Sequence, residues 1–456
     1  MNVAKSRMAG ITGAAIVVAG LLLAMCGFPQ GSSGGQGGEG VFGEPTPEAT
    51  RPGAELGWGF THTAASADEG EKKAVDRAAG VLDDAKLPQN QHIMGWGAAN
   101  PEPSPGSYDF SDLDRRVDLM RRTGKPPVIT LCCAPDWMKE DGKQGKTDWG
   151  ELETAPSPRY YDDFAELAGK VAKRYPDVRH FIVWNELKGF YDDSRGQWDY
   201  EGYTRLYNRV YTELKKVNQD NLVGGPYVVM DSVGKASVNA SDETGPWGAL
   251  DQRALDVVRY WNKHKKGADF AVVDGPTYSM DDRYVPDEFT ATEKLTAVSR
   301  WVRKETKLPL WWAEWYVETG DENDERDAWS EQHRLAVQAA GLAAMARGGT
   351  STGFYWNPQN EGAKCAGCLW RSTGLGDGGG ELPMMRLLAR FDKEFGPGTD
   401  FEKVSVADDD RPNVSVLADD DAVLVVNKLG RKIQAKVDGQ SFELKGYGVR
   451  WLDRKD

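Results

Sequence analysis

Short apolar runs alternate with segments of helical period along most of the chain. The clearest run is FIVWNELKG, residues 181–189, and a second run of the same construction, LPLWWAEWYV, covers 308–317. A continuous apolar run bounded by polar residues is typical of a strand buried on both faces of a parallel sheet. The first run is followed by a strict helical stripe. Its members are Tyr203, Leu206, Tyr207, Val210, Tyr211, Leu214 and Val217. The alternation predicts repeated βα units.

Eight such units can be placed along the chain. The predicted strands cover 56–60, 92–97, 127–133, 181–189, 222–230, 270–278, 308–317 and 351–357. Eight parallel strands joined by right-handed crossovers close most simply into a (β/α)8 TIM barrel. The alternative is a doubly wound open sheet. That fold would carry a glycine-rich phosphate loop after strand one, where this chain has GWGFTH, residues 57–62.

The pattern changes after Phe395, where Gly396-Pro397-Gly398 ends the last predicted helix. Short segments with strand-like alternation follow and are separated by turn residues. They cover 413–417, 422–427, 433–437, 441–444 and 449–452. We therefore predict a catalytic barrel over 54–395 and a small antiparallel β domain over 396–456 that packs on it.

The N-terminus has the features of a targeting segment. Lys5 and Arg7 precede an apolar stretch, residues 11–25, of the length of a signal-peptide core. Cys26 follows Leu-Ala-Met, which resembles a bacterial lipoprotein signal except that Met25 replaces the usual small residue. Residues 1–26 are predicted to be a signal peptide, cleaved at Cys26 as a lipoprotein, cleaved by ordinary signal peptidase, or kept as an anchor. The Gly/Ser/Pro-rich residues 27–53 are predicted to be a flexible linker. The expected location is outside the cell or on the cell envelope, with a possible membrane tether through Cys26.

Charge and composition narrow the class of partner. The 456 residues carry a formal net charge of −14, which argues against nucleic acid and against a basic membrane-binding patch. Sixteen Trp and sixteen Tyr offer stacking platforms for sugar rings, although most aromatic side chains belong to the core.

Cys365 and Cys368 could close a small disulfide. Cys132 and Cys133 are expected on opposite faces of strand three, with at least one buried. No cofactor or metal is implied, and the oligomeric state is left open.

Two carboxylates carry the chemical signal. Glu186 closes the predicted strand four and Glu314 closes the predicted strand seven, each framed by tryptophan. Carboxylates are rarely buried without a partner, and the carboxyl ends of barrel strands are where catalytic residues lie. Two carboxylates in this arrangement indicate glycoside hydrolysis. Glu186 alone could cap the next helix, but its pairing with Glu314 favours a catalytic role. Asp136 and Asp274 are interpreted as loop or helix-cap residues.

The strand ends resemble a known family. WNE at 184–186, Glu314, Tyr278 and Trp356 resemble the strand ends of the clan A retaining glycoside hydrolases. Within the clan, the YDF and APDWM stretches at 108–110 and 134–138, together with a small β domain after the barrel, resemble family 39, the β-xylosidase and α-iduronidase group. The resemblance covers about residues 54–452. This chain departs from the family by having Leu187 where proline is usual and Pro276 where histidine is frequent.

The resemblance implies a role for each of these residues. Glu186 would be the general acid and then the base, and Glu314 the nucleophile. Because neighbouring like charges push one pKa up, Glu186 is expected to keep its proton near neutrality. Asn185 would hydrogen-bond the sugar 2-hydroxyl, Tyr278 would hold Glu314, and Trp356 would form the floor under the sugar. Trp137 and His62 are further candidates for substrate contact, although His62 is equally well interpreted as a solvated loop residue.

Three functions remain at this point. The first is a retaining glycosidase, either xylosidase-like and exo-acting or an endo-acting glycanase on an envelope or plant polysaccharide. The second is a catalytically silent glycan-binding barrel, which would need neither a proton donor nor a nucleophile. The third is a metal-dependent barrel hydrolase or isomerase. That class needs a cluster of His and Asp at the strand ends, which is hard to build from five histidines.

Overall fold

A closed barrel of eight parallel strands forms the centre of the protein. The computed structural model describes residues 52–280, 287–315, 317, 329–356, 358–359, 362 and 365–454. The barrel strands are β1 (Gly57–Thr61), β2 (Gln89–His92), β3 (Val128–Leu131), β4 (His180–Val183), β5 (Leu222–Val229), β6 (Phe270–Asp274), β7 (Leu310–Trp315) and β8 (Thr350–Tyr355). Each strand pairs with the next along the chain, and β8 closes the barrel on β1. The predicted (β/α)8 fold is confirmed.

Helices cover the outside of the barrel and alternate with its strands. They are α1 (Lys72–Ala85), α2 (Ser111–Thr123), α3 (Tyr161–Arg174), α4 (Tyr200–Val217), α5 (Gln252–His264), α6 (Glu293–Thr306), α7 (Glu331–Gly348) and α8 (Pro383–Glu394). Side-chain caps fix several starts: Asp199 accepts from Gly202 at α4, and Asp251 accepts from Arg253 at α5. A short helix, Glu288–Ala291, precedes α6. Among the described residues, no helix is both long and apolar enough to cross a membrane.

The barrel interior has its own small core. Ten buried residues form it, and all but one belong to barrel strands. They are Leu56, Val128, Ile182, Leu222, Tyr227, Phe270, Val272, Trp311, Ala313 and Phe354. Trp311 stacks on Phe270 with ring centroids 3.8 Å apart. Because successive side chains of a strand alternate between the two faces, the neighbouring residues pack outward against the helices in the larger cluster.

Several strands end earlier than the sequence pattern predicts. Strand two was expected at 92–97, but β2 ends at His92, and Ile93 and Met94 are fully buried in the loop that follows. Strand three ends at Leu131, and the two following cysteines form a disulfide with each other. The alternation of a strand no longer applies there, so the expectation that Cys132 and Cys133 face opposite ways is wrong. The apolar runs continue beyond the strands because the loops at this end of the barrel are themselves buried.

Two loop structures were not predicted. A hairpin of Tyr191–Asp192 with Gln197–Trp198 follows β4, and a three-stranded antiparallel sheet follows β5. The strands of that sheet are Ser232–Val233, Ala240–Gly245 and Gly248–Asp251. In the loop after β8, the sulfurs of Cys365 and Cys368 are bonded to each other. All three features lie after carboxyl ends of barrel strands.

The predicted small antiparallel domain is present at the C-terminus. Its strands are β9 (Val414–Ala418), β10 (Ala422–Asn427), β11 (Ile433–Val437), β12 (Gln440–Leu444) and β13 (Val449–Asp453). β9, β10 and β13 form one sheet, and β11 pairs with β12. The domain packs on α7, where His333 stacks on Tyr447 at 3.8 Å and Arg347 donates to the Val416 carbonyl oxygen. The predicted signal peptide and nearly all of the predicted linker fall on residues 1–51, outside the described residues.

Candidate active site

Glu186 lies in a tight turn that follows β4. Three residues of this turn have a left-handed backbone: Trp184, Glu186 and Leu187, with φ values of 69°, 50° and 50°. Residues other than glycine adopt this conformation at a cost of about 1–3 kcal/mol each. Two contacts hold the turn: the Trp184 amide donates to the Leu131 carbonyl oxygen at 3.1 Å, and its indole N–H donates to the Lys188 carbonyl oxygen at 2.9 Å. The turn fixes the direction in which the Glu186 side chain leaves the backbone.

Glu314 lies in a bulge of β7. Trp312 pairs with Gly353 and Trp315 with Tyr355, so β7 carries one residue more than β8 over this interval. A bulge re-aims a side chain relative to the regular alternation of a strand. Glu314 is only 5% exposed. The register shift therefore places a buried carboxyl at the end of the barrel where β4 also ends.

Tyr227 occupies a second bulge, in β5. Pro226 pairs with Val272 and Val228 with Val273, which leaves Tyr227 as the extra residue, with φ of 53°. Its hydroxyl donates to Oε1 of Glu314 at 2.5 Å. This is a hydrogen bond of the kind that the sequence assigned to Tyr278. Tyr278 itself is partly buried, and its carbonyl oxygen accepts from the Ser232 hydroxyl at 3.3 Å.

Asp274 brings a third carboxyl to the site. It is the last residue of β6, is 3% exposed and forms a side-chain hydrogen bond with Glu186. One oxygen each of Glu186, Asp274 and Glu314 lies within 4.8 Å of the other two. The interpretation of Asp274 as a loop or cap residue is therefore wrong, because its side chain joins the carboxyl pair.

The environment separates the pKa values of the three carboxyls. Burial raises the pKa of Glu314 to about 8, helped by the negative charge of Glu186. Burial and Glu186 also hold the pKa of Asp274 well above its usual range. Burial alone would raise the pKa of Glu186, but Lys188 and the hydrogen bond from Asp274 lower it below its usual value. The expectation that Glu186 keeps the proton in the free protein is thus not met.

Lys188 supplies the cation beside Glu186. Its Nζ lies 2.9 Å from Oε2 of Glu186 and 2.7 Å from Oε1 of Glu153, and 4.9 Å from the centre of the Trp96 ring. These contacts raise the pKa of Lys188 above its usual value against the effect of burial. Among the described residues, the three carboxyls are the group spaced closely enough to hold a metal ion, but the ammonium of Lys188 would repel a cation there.

Polar and aromatic side chains suited to a sugar surround the carboxyls. Asn185 is 3% exposed, and its Oδ1 lies 3.5 Å from Nε2 of His92 at the end of β2. Burial lowers the pKa of His92 to about 4, so the ring is neutral near neutral pH. The rings of Trp96 and Trp356, both partly exposed, lie 6.1 and 6.4 Å from the His92 ring. Asn185 and Trp356 are thus brought together as the sequence predicted.

Two predicted substrate contacts are not brought to the site. His62 is fully buried, and its ring nitrogens bond Ser66 at 2.6 Å and Gln89 at 2.8 Å, so both are already used. Trp137 is 6% exposed, and its indole N–H donates to the Glu102 carbonyl oxygen at 2.9 Å. Neither side chain presents a free face or a free nitrogen to a sugar. Both predictions are corrected for this reason.

Four residues of the site escaped the sequence analysis. His92 was placed at the start of strand two instead of its end, although the polar run QNQH before the apolar residues was a usable signal. Tyr227 depends on a bulge, and Lys188 and Asp274 belong to no periodic pattern. A carboxylate closing a barrel strand, as Asp274 closes β6, was the available signal for the last of these.

Comparison with known proteins gives one curated relative and many structures of the same fold. No family model matches the chain. A β-xylosidase from Caldicellulosiruptor saccharolyticus is 29% identical over 136 residues, which cover 28% of this chain and 26% of that protein. The chain thus matches about a quarter of the length of this relative.

Three solved structures illustrate the similarity of fold. A conserved exported protein from Bacteroides fragilis has a TM-score of 0.58 at 14% identity, over 88% of this chain and 97% of the other. A family 39 β-xylosidase from Caulobacter crescentus has a TM-score of 0.51 at 17% identity, over 84% of each chain. The endo-β-1,4-mannanase from Thermotoga petrophila has a TM-score of 0.53 at 13% identity, over 88% and 92%. At these identities the likeness is one of fold.

Proposed function

We propose that this chain, which resembles family 39 of the clan A glycoside hydrolases, is a retaining glycoside hydrolase. Glu186 is the general acid and base, and Glu314 is the nucleophile. The substrate is an O-glycoside of a xylose-like sugar, in keeping with the name of the curated relative.

The spacing of the two glutamates carries this proposal. An oxygen of Glu186 lies within 4.8 Å of an oxygen of Glu314. Retaining enzymes hold their carboxyl groups about 5–5.5 Å apart, whereas inverting enzymes need about 6.5–9.5 Å to admit a water molecule between acid and base. Nearest oxygens this close are compatible with the retaining separation, in which a carboxylate attacks the anomeric carbon directly.

The proton count of the site also fits this role. The directions of the three pKa values place two protons on the carboxyls near neutral pH, on Asp274 and on Glu314. The reactive arrangement needs the same number, with Glu314 ionised and Glu186 protonated. Transfer of one proton from Glu314 to Glu186 interconverts the two arrangements. Because the two arrangements carry the same number of protons, the charges and hydrogen bonds around Glu186 and Glu314 set the balance between them. The Tyr227 hydroxyl favours the ionised form of Glu314.

Two displacements complete the reaction. In the first, Glu314 attacks the anomeric carbon, and Glu186 gives its proton to the departing oxygen as the glycosidic bond breaks. In the second, Glu186 takes a proton from a water molecule, whose oxygen attacks the anomeric carbon and releases Glu314. Asn185 and neutral His92 would bind sugar hydroxyls, and the partly exposed ring of Trp356 would pack against the sugar face.

The ion pair between Lys188 and Glu186 favours a second candidate. A cation 2.9 Å from the acid stabilises its ionised form, in which it cannot protonate a leaving group. A glycan-binding barrel without turnover would need no proton on Glu186. The first proposal requires that substrate binding reverses this preference, because the departing oxygen of the substrate brings an acceptor for the proton of Glu186.

The test is hydrolysis of a panel of aryl β-glycosides and soluble polysaccharides. We expect release of an aryl pentoside product with retained configuration, loss of turnover in Glu314→Ala, and largest losses for poor leaving groups in Glu186→Ala. Azide should restore turnover in Glu186→Ala and give a glycosyl azide of retained configuration. Glu166→Ala, an exposed carboxylate on α3, is the matched control and should behave as the wild type.

Each outcome discriminates among the candidates. Cleavage of polysaccharide without release of the aryl group would favour an endo-acting glycanase, the activity named for the Thermotoga mannanase of the same fold. Sugar binding without turnover, with Glu314→Ala binding as well as the wild type, would favour the silent glycan-binding barrel. Full activity of Glu314→Ala would refute the assignment of the nucleophile.

A further inference from the structure

Asp274 is a carboxyl of the site that the two-glutamate mechanism leaves without a task. It ends β6, and its carbonyl oxygen accepts from the Met230 amide at 2.8 Å, which anchors it to the end of β5. Its side chain forms a hydrogen bond with Glu186. Oδ1 of Asp274 is buried and has no hydrogen-bond partner among the described residues. Burying a carboxyl oxygen without a hydrogen-bond partner costs stability, which points to a functional reason for Asp274 at this position.

The hydrogen bond itself requires a proton on one of the two carboxyls. An ionised carboxylate accepts hydrogen bonds and cannot donate one, so Asp274 and Glu186 cannot both be ionised and still be bonded. Lys188 decides which of them is neutral. Its ammonium lies 2.9 Å from Oε2 of Glu186, so the negative charge is most stable on Glu186. Asp274 is therefore the donor.

The other groups around Asp274 support the neutral form. Burial comes first among the causes that raise its pKa, followed by the charges of Glu186, Glu314 and Asp231. The nearby cation is Lys294 on α6, which is fully buried and donates to the Pro276 carbonyl oxygen at 2.9 Å. Burial lowers the pKa of Lys294 to about 8, so this ammonium still carries its charge near neutral pH but loses it at a lower pH than an exposed lysine does.

Burial also raises the pKa of Asp231 to about 6, and Lys294 opposes that rise. Asp231 and Lys294 therefore form a partly compensated pair beside the site. Among the described residues, the neutral ring of His92 and the hydroxyl of Tyr227, which is bonded to Glu314, also face the carboxyls.

We propose that Asp274 is a positioning residue that stays protonated through the reaction and donates a hydrogen bond to Glu186. This inference rests on the proposed function. Glu186 becomes a carboxylate when its proton passes to the departing oxygen, and the hydrogen bond from Asp274 stabilises that carboxylate while Glu314 carries the sugar. No bond to Asp274 is made or broken, and its proton stays on its own oxygen. When Glu186 then accepts a proton from water, Asp274 keeps its carboxyl in place.

The test compares Asp274→Asn with Asp274→Ala. Asparagine has the shape and the neutrality of a protonated aspartic acid and still offers an N–H to Glu186, whereas alanine offers no donor. The matched control is Asp76→Asn, an exposed carboxylate on α1. The measurement is kcat/KM against pH, with one aryl glycoside of good leaving ability and one of poor leaving ability.

Asn and Ala should behave differently. Asp274→Asn should keep most of the kcat/KM that Asp274→Ala loses, with its acidic limb unmoved, because neither charge nor donor is lost. Asp274→Ala should lose about 10- to 150-fold on the poor leaving group, the range expected for a hydrogen bond to a charged group. Its acidic limb should move to higher pH, because Glu186 loses a contact that stabilises the ionised form.

Two kinetic results would overturn the inference. If Asp274 were ionised, Asp274→Asn would remove a negative charge beside Glu186 and move the acidic limb to lower pH. If Asp274 only packed the loop, alanine and asparagine would change stability and leave the pH profile as it is in the control variant.

A readout without turnover separates this inference from the proposed function. Infrared spectroscopy near neutral pH should show protonated-carboxyl absorption from both Asp274 and Glu314 in the wild type and in Asp76→Asn, and Asp274→Asn should keep only the contribution of Glu314. Absorption in Asp274→Asn that equals the wild type refutes the inference even if the enzyme is active. Loss of the Asp274 contribution in a protein without any hydrolysis supports the neutral Asp274 and rejects the glycosidase instead.

Discussion

Replacement of Tyr227 by phenylalanine removes one hydroxyl and leaves the rest of the site in place. The hydroxyl donates to Oε1 of Glu314 at 2.5 Å, a separation typical of a charge-assisted bond. Phenylalanine keeps the ring, so no cavity opens around the side chain. The left-handed backbone, with φ of 53°, costs the same for both residues. The effect of the variant therefore reports the hydrogen bond to Glu314.

The expected loss follows from the energy of such a bond. Hydrogen bonds to charged groups contribute about 1.5–3 kcal/mol, which is a factor of about 10 to 150 in the balance between ionised and protonated Glu314. Since the nucleophile must be ionised, kcat/KM at the pH optimum should fall by about the same factor. The pKa of Glu314, about 8 in the wild type, should rise. The alkaline limb of the profile, which reports loss of the proton that Glu314 holds in the free enzyme, should then move to higher pH.

The assay is kcat and KM on the best aryl glycoside across pH, with Tyr207→Phe as the matched control. Tyr207 is also fully buried, and its hydroxyl donates to the Gly267 carbonyl oxygen at 3.0 Å. The control should lose about 1 kcal/mol of stability with an unchanged pH profile. If Tyr227→Phe folds cooperatively and matches the control in kcat/KM and in its alkaline limb, the reasoning about Glu314 is refuted.

Three further outcomes are expected. Lys188→Met should move the acidic limb of kcat/KM to higher pH, because Glu186 loses the cation that lowers its pKa; an unmoved or lowered limb contradicts this. Arg116→Met should cost about 1–3 kcal/mol in urea denaturation, since Asp68 loses its partner at 2.9 Å, although it keeps Arg115 at 3.0 Å, and the buried Gln91 oxygen loses its donor; a loss below about 1 kcal/mol would reject that account. Burial lowers the pKa of His62 from 6.5 to about 3. Between these two pH values, His62 binds a proton in the unfolded chain but stays neutral in the folded protein. Stability should therefore fall with decreasing pH by up to about 1.4 kcal/mol per unit, with a shallower slope in His62→Gln as the check.

The fold was predictable because its signals are local and repeated. Each βα unit supplies a buried apolar run and a helical stripe, and eight of them leave few topologies. The C-terminal strands β10 and β11 fall on the predicted ranges, since turn residues bound them on both sides. The bounds predicted for strand two are wrong because Ile93 and Met94 extend the apolar run into a buried loop. The hydrophobic residues there indicate burial, but they do not indicate which backbone segments pair.

The site was predictable only in part, for a different reason. Glu186 and Glu314 end apolar runs and could be found by their place in the pattern. Tyr227 reaches Glu314 through a bulge, which reverses the alternation on which inward and outward assignments depend. Asp274 and Lys188 act on Glu186 through distances of a few ångströms, Asp274 from the end of β6 and Lys188 from the same turn as Glu186. The order of the pKa values follows from those contacts, so it could not be inferred from residue types alone.

Barrel closure has a consequence for synthesis of the chain. The Leu56 amide donates to the Thr352 hydroxyl oxygen across 296 residues, beside the pairing of β1 with β8. At typical translation rates, about 15 to 60 s separate the appearance of these two partners. Until then one edge of β1 has no strand to pair with, and an unpaired edge is a template for association with other chains. Slow release of the chain from the ribosome, or its early capture by a chaperone, would therefore affect the yield of folded protein more than the stability of the folded state.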